Sequence, residues 1–329
     1  MIHRIENMMK DFRIAADTLL TPAILFAIIL FVCSIVADAQ SISTTSGSSM
    51  IVTSGATVSA SATTNNSSGT LENDGSMKFT SLTNAGTLQG NGTYVIDQTF
   101  TNTGTFTPNN STVNFDGTSS QSIPALTYFN LTLSGSGTMS LTGSTIVNGT
   151  VTLSSGTFDV TSSNFPISVG GNWTNNGGTF NPQSGTVTFN GSSSQSLSGS
   201  VTSQSFNSIT LGGTSSQVVS VGGSMTSISL TGDWTNNSSA TAFSGGISTV
   251  TLNGTAAQTI GGSFATTFGS LAFSNAGVKT ISVNIITNAD CIINGSSNLS
   301  INSSVILQVF GRTYVAGALT NNGSLLISN

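Results

Sequence analysis

The sequence has very few charged side chains. Only 5% of its 329 residues are Asp, Glu, Lys or Arg, against about a quarter in ordinary soluble domains. The formal net charge is −5 at pH 7, and the lysines and arginines beyond the N-terminal segment are scattered singly. A nucleic-acid-binding protein needs clustered Lys and Arg to displace counterions from phosphates. The composition therefore excludes nucleic acid as a partner.

Histidine and cysteine are almost absent. The histidine is His3, and the two cysteines are Cys33 and Cys291. Without the N-terminal segment, no histidine remains as general base for a Ser-His-Asp site, and one cysteine is too few for a zinc site. Cys291 alternates with apolar residues, which predicts a small buried core residue, with an intermolecular disulfide as the alternative. We predict no catalytic residue and no cofactor.

An apolar run from Leu19 to Val36 follows a segment with three basic residues and ends in Ala37-Asp38-Ala39. This pattern predicts a signal helix over residues 1–39, cleaved before Gln40. The mature chain would then be secreted or bound to the cell surface, with no membrane span. An uncleaved anchor is one alternative, because 18 apolar residues are about enough to cross a bilayer. Lipid modification of Cys33 is another.

Residues 40–79 are rich in Ser, Thr and Asn, with short β-branched runs between turn residues. They are either a flexible polar leader or the first capping coils of a repeat array, and we favour capping coils because terminal units are expected to be atypical. We predict no metal site; Glu72 and Asp74, just before Gly75, are the residues that could hold a calcium ion as the alternative. The repeated acidic loop of calcium-binding β-rolls is absent.

A short motif recurs along the chain: an apolar residue, Thr and Asn, followed by Gly and a β-branched restart. Its apolar positions include Leu71, Leu82, Phe100, Trp173, Trp234 and Leu319. We expect an inward apolar side chain, an Asn that either occupies a left-handed turn or bonds its own backbone, and a Gly with positive φ. Because Phe100 and Leu319 replace the tryptophans, we predict that Trp173 and Trp234 are core residues and not sugar-stacking platforms.

A longer unit contains a Thr-Val-x-x-x-Gly strand followed by a glutamine. Its three copies cover residues 112–117, 186–191 and 249–254, with Gln121, Gln195 and Gln258 four residues further on. Apolar and polar residues alternate within each strand, which is the period of a half-buried β-strand. We predict an all-β fold, a parallel β-helix or β-solenoid of about 20 residues per turn, following the signal helix and covering residues 80–329.

The combined pattern resembles the repeat of exported bacterial surface proteins of the β-helical, adhesin-like kind, over about residues 80–329. The resemblance implies a secreted or cell-surface bacterial protein whose partners are glycans or other surface proteins. Such proteins often end in a sorting or anchoring module. Asn329 instead lies inside a new copy of the short motif, so a truncated C-terminus is expected.

The expected function is that of a non-catalytic structural or adhesive surface protein presenting a Ser/Thr/Asn-rich solenoid face. One alternative is a carbohydrate-active β-helix enzyme, which needs carboxylates converging on one face. The aspartates at 97, 116, 159 and 233 are isolated in sequence, and Asp116 and Asp233 correspond to Asn in other copies, which indicates backbone bonding. The second alternative, an ice- or crystal-surface binder, needs a flat Thr ladder, which the irregular repeat spacing disfavours.

Overall fold

The structure is a computed structural model that describes residues 38–328, with side chains from residue 41. The predicted signal helix lies outside the described residues, apart from the backbone at Asp38 and Ala39. Within the described range the chain forms 39 strands and no helix. The strands pair in parallel with strands of the preceding and following coils. The predicted all-β parallel β-solenoid is confirmed, with about 14 turns.

The strands divide into coils of two kinds. The first four coils have two strands each: β1 Asp38–Thr44, β2 Ser49–Val52, β3 Thr57–Asn65, β4 Thr70–Asn73, β5 Ser76–Asn84, β6 Thr87–Gln89, β7 Thr93–Asn102 and β8 Thr105–Phe106. The next five have three strands each: β9 Thr112–Phe115, β10 Gln121–Ile123, β11 Thr127–Tyr128, β12 Asn130–Leu133, β13 Thr138–Leu141, β14 Thr145–Val147, β15 Val151–Leu153, β16 Thr157–Asp159, β17 Ile167–Val169, β18 Trp173–Asn175, β19 Thr179–Asn181, β20 Thr186–Phe189, β21 Gln195–Gly199, β22 Ser203–Phe206 and β23 Ser208–Leu211.

The remaining coils keep three strands, and a further strand begins the next coil. They are β24 Val219–Val221, β25 Ser227–Leu230, β26 Trp234–Asn236, β27 Phe243–Ser244, β28 Thr249–Leu252, β29 Gln258–Gly262, β30 Thr266–Phe268, β31 Ser270–Phe273, β32 Val278–Ile281, β33 Ile285–Thr287, β34 Cys291–Ile293, β35 Asn298–Ile301, β36 Ile306–Val309, β37 Thr313–Val315, β38 Ala318–Asn321 and β39 Ser324–Ile327.

Six parallel sheets make up the faces of the solenoid. The two longest have eleven strands, from β1 to β27, and ten strands, from β11 to β38; a six-stranded sheet runs from β22 to β37, and three further sheets have four strands each. Because neighbouring strands lie about 4.8 Å apart, 14 coils extend roughly 65 Å along the axis. The coil length varies, since Ser76 pairs with Thr93 whereas Trp234 pairs with Ile260.

The interior consists of apolar columns with one side chain from each coil. One column of the ten-stranded sheet includes six buried side chains on successive coils: Val187, Ile209, Trp234, Ile260, Ile281 and Ile301. Each large side chain removed from water contributes about 1.5–3 kcal/mol. No coil could bury these residues alone, so the core is continuous along the axis.

The sequence repeat and the coil have different lengths. Trp173 opens β18 in the eleven-stranded sheet, whereas Trp234 opens β26, eight strands later, in the ten-stranded sheet. With three strands per coil, a unit of eight strands covers two and two-thirds coils. The equivalent residues Val113, Val187 and Val250 accordingly lie in three different sheets. Each copy of the unit is thus rotated onto another face.

Most of the short-motif glycines are required because a side chain would overlap the preceding coil, and not because of a positive φ. Gly177 has the expected positive φ, at 139°. The prediction is wrong for Gly86, Gly104 and Gly323, whose φ is not in the left-handed region. At each of these, a Cβ would overlap a carbonyl oxygen of the preceding coil, for example that of Gly86 below Gly104. Close stacking of the coils, and not turn geometry, excludes a side chain there.

The asparagines of the motif point inward in the first coils and form a hydrogen-bonded ladder. The Thr44 hydroxyl donates to Asn65 Oδ1 at 2.6 Å, Asn65 Nδ2 donates to Asn84 Oδ1 at 2.7 Å, and Asn84 Nδ2 donates to Asn102 Oδ1 at 2.6 Å. Asn65 and Asn84 are fully buried. Since buried amides are costly unless they are paired, this ladder fixes the register of the coils.

Candidate functional site

The repeated glutamines are buried and hold turns between coils. Gln121, Gln195 and Gln258 each accept a hydrogen bond at Oε1 from the backbone N–H four residues earlier, at 2.7 to 3.0 Å. The Nε2 of each donates at 2.9 Å to a carbonyl of the preceding coil, that of Ile96, Val169 or Leu230. These side chains satisfy backbone groups inside the solenoid, and solvent cannot reach them. They contribute to the architecture and do not form a binding surface.

Gln217 belongs to this set and Lys279 takes the corresponding place one coil after Gln258, and both lie outside the repeated sequence pattern. Gln217 forms the same clamp, accepting from the Gly213 N–H at 3.0 Å and donating to the Phe189 carbonyl at 2.7 Å. Lys279 pairs in register with Gln258 and is 0% exposed. Burial lowers the pKa of Lys279. The spacing of four residues after a turn glycine could have identified Gln217, whereas Lys279 gave no such signal.

Both tryptophans lie in the core. Trp173 is 0% and Trp234 is 1% exposed. The indole N–H of Trp173 donates to Gln204 Oε1 at 3.3 Å, and that of Trp234 donates to the Thr266 hydroxyl at 3.2 Å. Phe180 packs edge-on against Trp173 with the ring centroids 4.8 Å apart. Neither ring is available to stack on a sugar.

The other two apolar positions of the motif differ from one another. Phe100 is buried and packs edge-on against Phe106, with the ring centroids 6.0 Å apart. Leu319 is only partly buried because its strand, β38, belongs to the last coil described. Leu319 pairs in register with Leu299, which is fully buried one coil earlier. The inward direction is therefore the same, and the difference in exposure comes from the position of β38 in the last coil described.

The calcium candidates bond to the next coil. Gln89 Nε2 donates to Glu72 Oε2 at 3.3 Å, and the backbone and side-chain N–H groups of Asn91 donate to Asp74 Oδ1 at 2.9 and 3.0 Å. Calcium needs six to eight oxygen ligands, usually including several carboxylates. Among the described residues, no three His, Cys, Asp or Glu side chains come together as a metal site.

Two aspartates that look isolated in sequence lie on neighbouring coils. Ile96 pairs with Phe115, so Asp97 and Asp116, which follow them, occupy adjacent rungs. Lys78 Nζ contacts Asp116 Oδ2 at 2.6 Å, and this hydrogen bond, supported by the nearby charge of Asp97, raises the pKa of Lys78. The interpretation of Asp116 as a backbone-bonding residue is wrong, because its Oδ1 is buried without a partner among the described residues.

The other two aspartates do bond the backbone. Asp159 Oδ1 accepts from the Thr161 N–H at 2.8 Å, and Asp233 Oδ1 accepts from the Thr259 N–H at 2.7 Å. Asn172, which corresponds to Asp233, accepts from the Ser196 N–H at 2.8 Å in the same way. Only an oxygen acceptor is needed at this place, so Asp and Asn are interchangeable there.

Columns of hydroxyl and amide side chains cover the outer faces. On the eleven-stranded sheet one column carries Asn114, Thr132, Thr152, Thr174 and Ser198 on successive coils. On the ten-stranded sheet Thr188, Thr210 and Thr235 form a column that ends at Gly261. The next outward column of the ten-stranded sheet, beside the one with Thr188, Thr210 and Thr235, is interrupted by the carboxylate of Asp233. No outward column on this sheet is therefore an unbroken Thr ladder over the described coils.

No family model, curated protein or solved structure matches this chain. Among the described residues, no helix is long and apolar enough to cross a membrane.

Proposed function

We propose that this is a non-catalytic, exported bacterial surface protein with a structural or adhesive role. The observation that carries the proposal is the rigid parallel solenoid with outward columns of Ser, Thr and Asn on successive coils. Such columns present donors and acceptors at intervals of about 4.8 Å along the axis. Glycans, or polar surfaces of other cell-surface proteins, are the partners that this chemistry suits.

The polar columns are held in place by their neighbours. The hydroxyls of Ser205 and Ser229, on successive coils, lie 2.9 Å apart, and Asn207 Nδ2 donates to the Thr231 hydroxyl at 3.0 Å. Side chains that are already ordered lose less rotamer entropy when a partner binds. A surface of this kind therefore supports binding through many weak polar contacts.

Adhesion can be tested by measuring the binding of the purified protein to immobilised glycans and to whole cells. The variant T132V/T152V/T174V removes three hydroxyls from the eleven-stranded sheet while keeping the shape and β-propensity of each side chain. A second variant, T188V/T210V/T235V, removes three hydroxyls from the ten-stranded sheet. We expect one triple variant to lose at least about tenfold in affinity, a difference of 1.4 kcal/mol. Undiminished binding by both would contradict adhesion through these faces.

Export can be tested separately by cell fractionation and by mass spectrometry of the N-terminus. The expected result is a surface or secreted chain that begins at Gln40. A chain that keeps residues 1–39 in the cytoplasm would contradict the proposal.

A carbohydrate-active enzyme is the second candidate, because Asp97, Asp116 and Lys78 lie on three successive coils of one sheet. Two carboxylates on one face are the minimum for glycoside hydrolysis. A panel of polysaccharides assayed for cleavage tests this candidate. Cleavage lost in Asp97→Asn and Asp116→Asn but kept in Asp159→Asn would establish the enzyme and overturn the non-catalytic proposal.

A further inference from the structure

Two outward columns run side by side on the eleven-stranded sheet. One carries Asn114, Thr132, Thr152, Thr174 and Ser198 on successive coils. The other lies two residues earlier on each coil and carries Thr112, Asn130, Thr150, Asn172 and Ser196. Alternate residues of a strand point to the same side, and all ten side chains are partly exposed. We name these ten residues the polar strip.

The polar strip has defined ends and the width of one extended polymer. Its first column is bounded by Val95, which pairs with Asn114, and by Gly222, whose N–H donates to the Leu197 carbonyl at 3.1 Å. The strip itself contains no charged side chain. It spans five coils, about 19 Å along the axis, and its two columns lie about 7 Å apart. A single linear polymer lying along the axis would therefore cover it.

The second column alternates between hydroxyl and amide side chains. Thr112, Thr150 and Ser196 carry hydroxyls, whereas Asn130 and Asn172 carry amides, so the chemistry repeats every two coils. The next coil orients each amide, because Asn130 Oδ1 accepts from the Thr150 N–H at 2.9 Å and Asn172 Oδ1 accepts from the Ser196 N–H at 2.8 Å. With Oδ1 engaged, each amide offers its Nδ2 as a donor, whereas a hydroxyl both donates and accepts.

An aromatic side chain borders the strip at one corner. Phe129 directly precedes the second coil of the strip, is partly exposed and does not pack against the core cluster. The next two coils have Gly149 and Gly171 at this corner, since the Gly149 N–H donates to the Phe129 carbonyl and the Gly171 N–H donates to the Gly149 carbonyl. Other copies of the unit have Asn207 and Gly269 in place of Phe129. The coil therefore does not require an aromatic ring here.

We propose that the polar strip binds a neutral, linear β-1,4-linked polysaccharide in its extended ribbon form, with one sugar ring on each coil. Each sugar of such a ribbon advances the chain by about one coil spacing. Successive rings are turned over, so the edge of the ribbon repeats every two sugars, as the second column of the strip repeats every two coils. The face of one ring stacks on Phe129 beside the polar contacts.

The absence of charge from the strip favours a neutral polymer over an ionic one. A polyanion would meet no opposite charge there, and the nearby Lys78 is already paired with Asp116 at 2.6 Å. This inference rests on the proposed adhesive function and names the class of its ligand. It also places the ligand on one of the three faces.

Titration calorimetry of the purified protein with oligosaccharides of defined length and linkage tests the proposal. We expect the affinity for cello-oligosaccharides to rise with each sugar up to about five and then to level off, because five coils form the strip. Maltohexaose contains the same sugar in α-1,4 linkage and coils instead of forming a ribbon. At least one of cellohexaose, mannohexaose and xylohexaose should bind about tenfold more tightly than maltohexaose, and their order identifies the preferred sugar.

Two substitutions that the repeat itself tolerates locate the site. Asn172→Asp keeps the backbone acceptor, as Asp233 does in the next unit, but removes the amide donor and adds a charge. Phe129→Asn introduces the residue found at Asn207. Each should weaken binding of the preferred hexamer at least about tenfold. The matched controls, Asp233→Asn and Phe264→Asn, change the same residue types away from the strip, where Phe264 is 42% exposed, and should leave binding unchanged.

Circular dichroism verifies that each variant is folded. Binding of maltohexaose or of a charged polygalacturonate as tight as that of every β-1,4-linked hexamer, or unchanged affinity in both strip variants, overturns this assignment. Adhesion to cells would then leave the proposed function standing with a different ligand. A protein that binds neither glycans nor cells overturns the adhesive role together with the inference.

Discussion

Replacing a clamp glutamine by leucine should destabilise the solenoid far more than the same change on its surface. Gln258 is 1% exposed, accepts from the Gly254 N–H at 2.7 Å and donates to the Leu230 carbonyl at 2.9 Å and to the Gly232 carbonyl. Leucine is similar in size but can do neither. The Gly254 N–H then loses its acceptor, and each buried orphan group costs about 1–3 kcal/mol. We expect Gln258→Leu to lower the free energy of unfolding by about 2–4 kcal/mol.

The measurement is urea unfolding followed by circular dichroism and by the fluorescence of the buried tryptophans. Because coils interact only with their neighbours, local unfolding can precede the main transition, so both signals are needed. The matched control is Gln98→Leu, at an exposed glutamine, expected to change stability by less than about 0.5 kcal/mol. Equal stability of the two variants would refute the clamp. Gln258→Glu extends the test, since a buried carboxylate facing two carbonyls should be least stable at neutral pH and recover on acidification.

Three further predictions concern Lys279, Gly104 and Cys291. Lys279→Gln should raise the free energy of unfolding by about 1 kcal/mol or more by removing a buried charge. Burial lowers the pKa of Lys279 only in the folded chain, so wild-type stability should rise as the pH approaches 10.5 and Lys279→Gln should abolish that rise. In pH-dependent urea unfolding, Lys78→Gln should keep the rise, because the pKa of Lys78 is raised by Asp116 and not lowered. Gly104→Ala should destabilise by at least about 2 kcal/mol because its Cβ would overlap the Gly86 carbonyl, whereas Gly222→Ala, with nothing nearby, should not; thermal melts compare them. Burial raises the pKa of the Cys291 thiol to about 12, so mass spectrometry should detect alkylation of Cys291 at pH 8 only after unfolding, and labelling of the native chain would contradict the buried position.

The sequence was sufficient to predict the fold because both of its signals are local. Alternation with a period of two, as at Val187 and Phe189, indicates strands with one buried face. Frequent Asn and Gly turns, as at Asn84 and Gly86, are too close together for independent domains. The sequence pattern could not show why a glycine is needed at each turn, because the overlap that excludes a side chain at Gly104 involves a residue one coil away. Contacts between coils depend on register, which a turn motif does not encode.

The site residues illustrate the same limit. The recurrence of Gln195 and Gln258 was visible, but their clamp role depends on carbonyls 26 and 28 residues earlier. Asp97 and Asp116 looked isolated because they are 19 residues apart, and they become neighbours only when one coil has that length. A search for chemical groups separated by one coil, applied to the whole sequence, could have found this pair and the Asn ladder.

The rotation of the repeat unit bears directly on function. Because successive copies are displaced by one face, the outward residues that neighbour one another on a sheet come from different positions of the unit, as Thr188 and Thr210 do on the ten-stranded sheet. Duplication therefore preserved what the interior needs, such as the clamp at Gln195 and Gln258, on whichever face it fell. A regular ligand lattice such as ice requires the same outward residue on every coil of one face, whereas the column of Thr188, Thr210 and Thr235 continues to Gly261. If the proposed adhesive role holds, we expect recognition by local patches, each with its own composition, and substitutions on one face should leave binding at another unchanged.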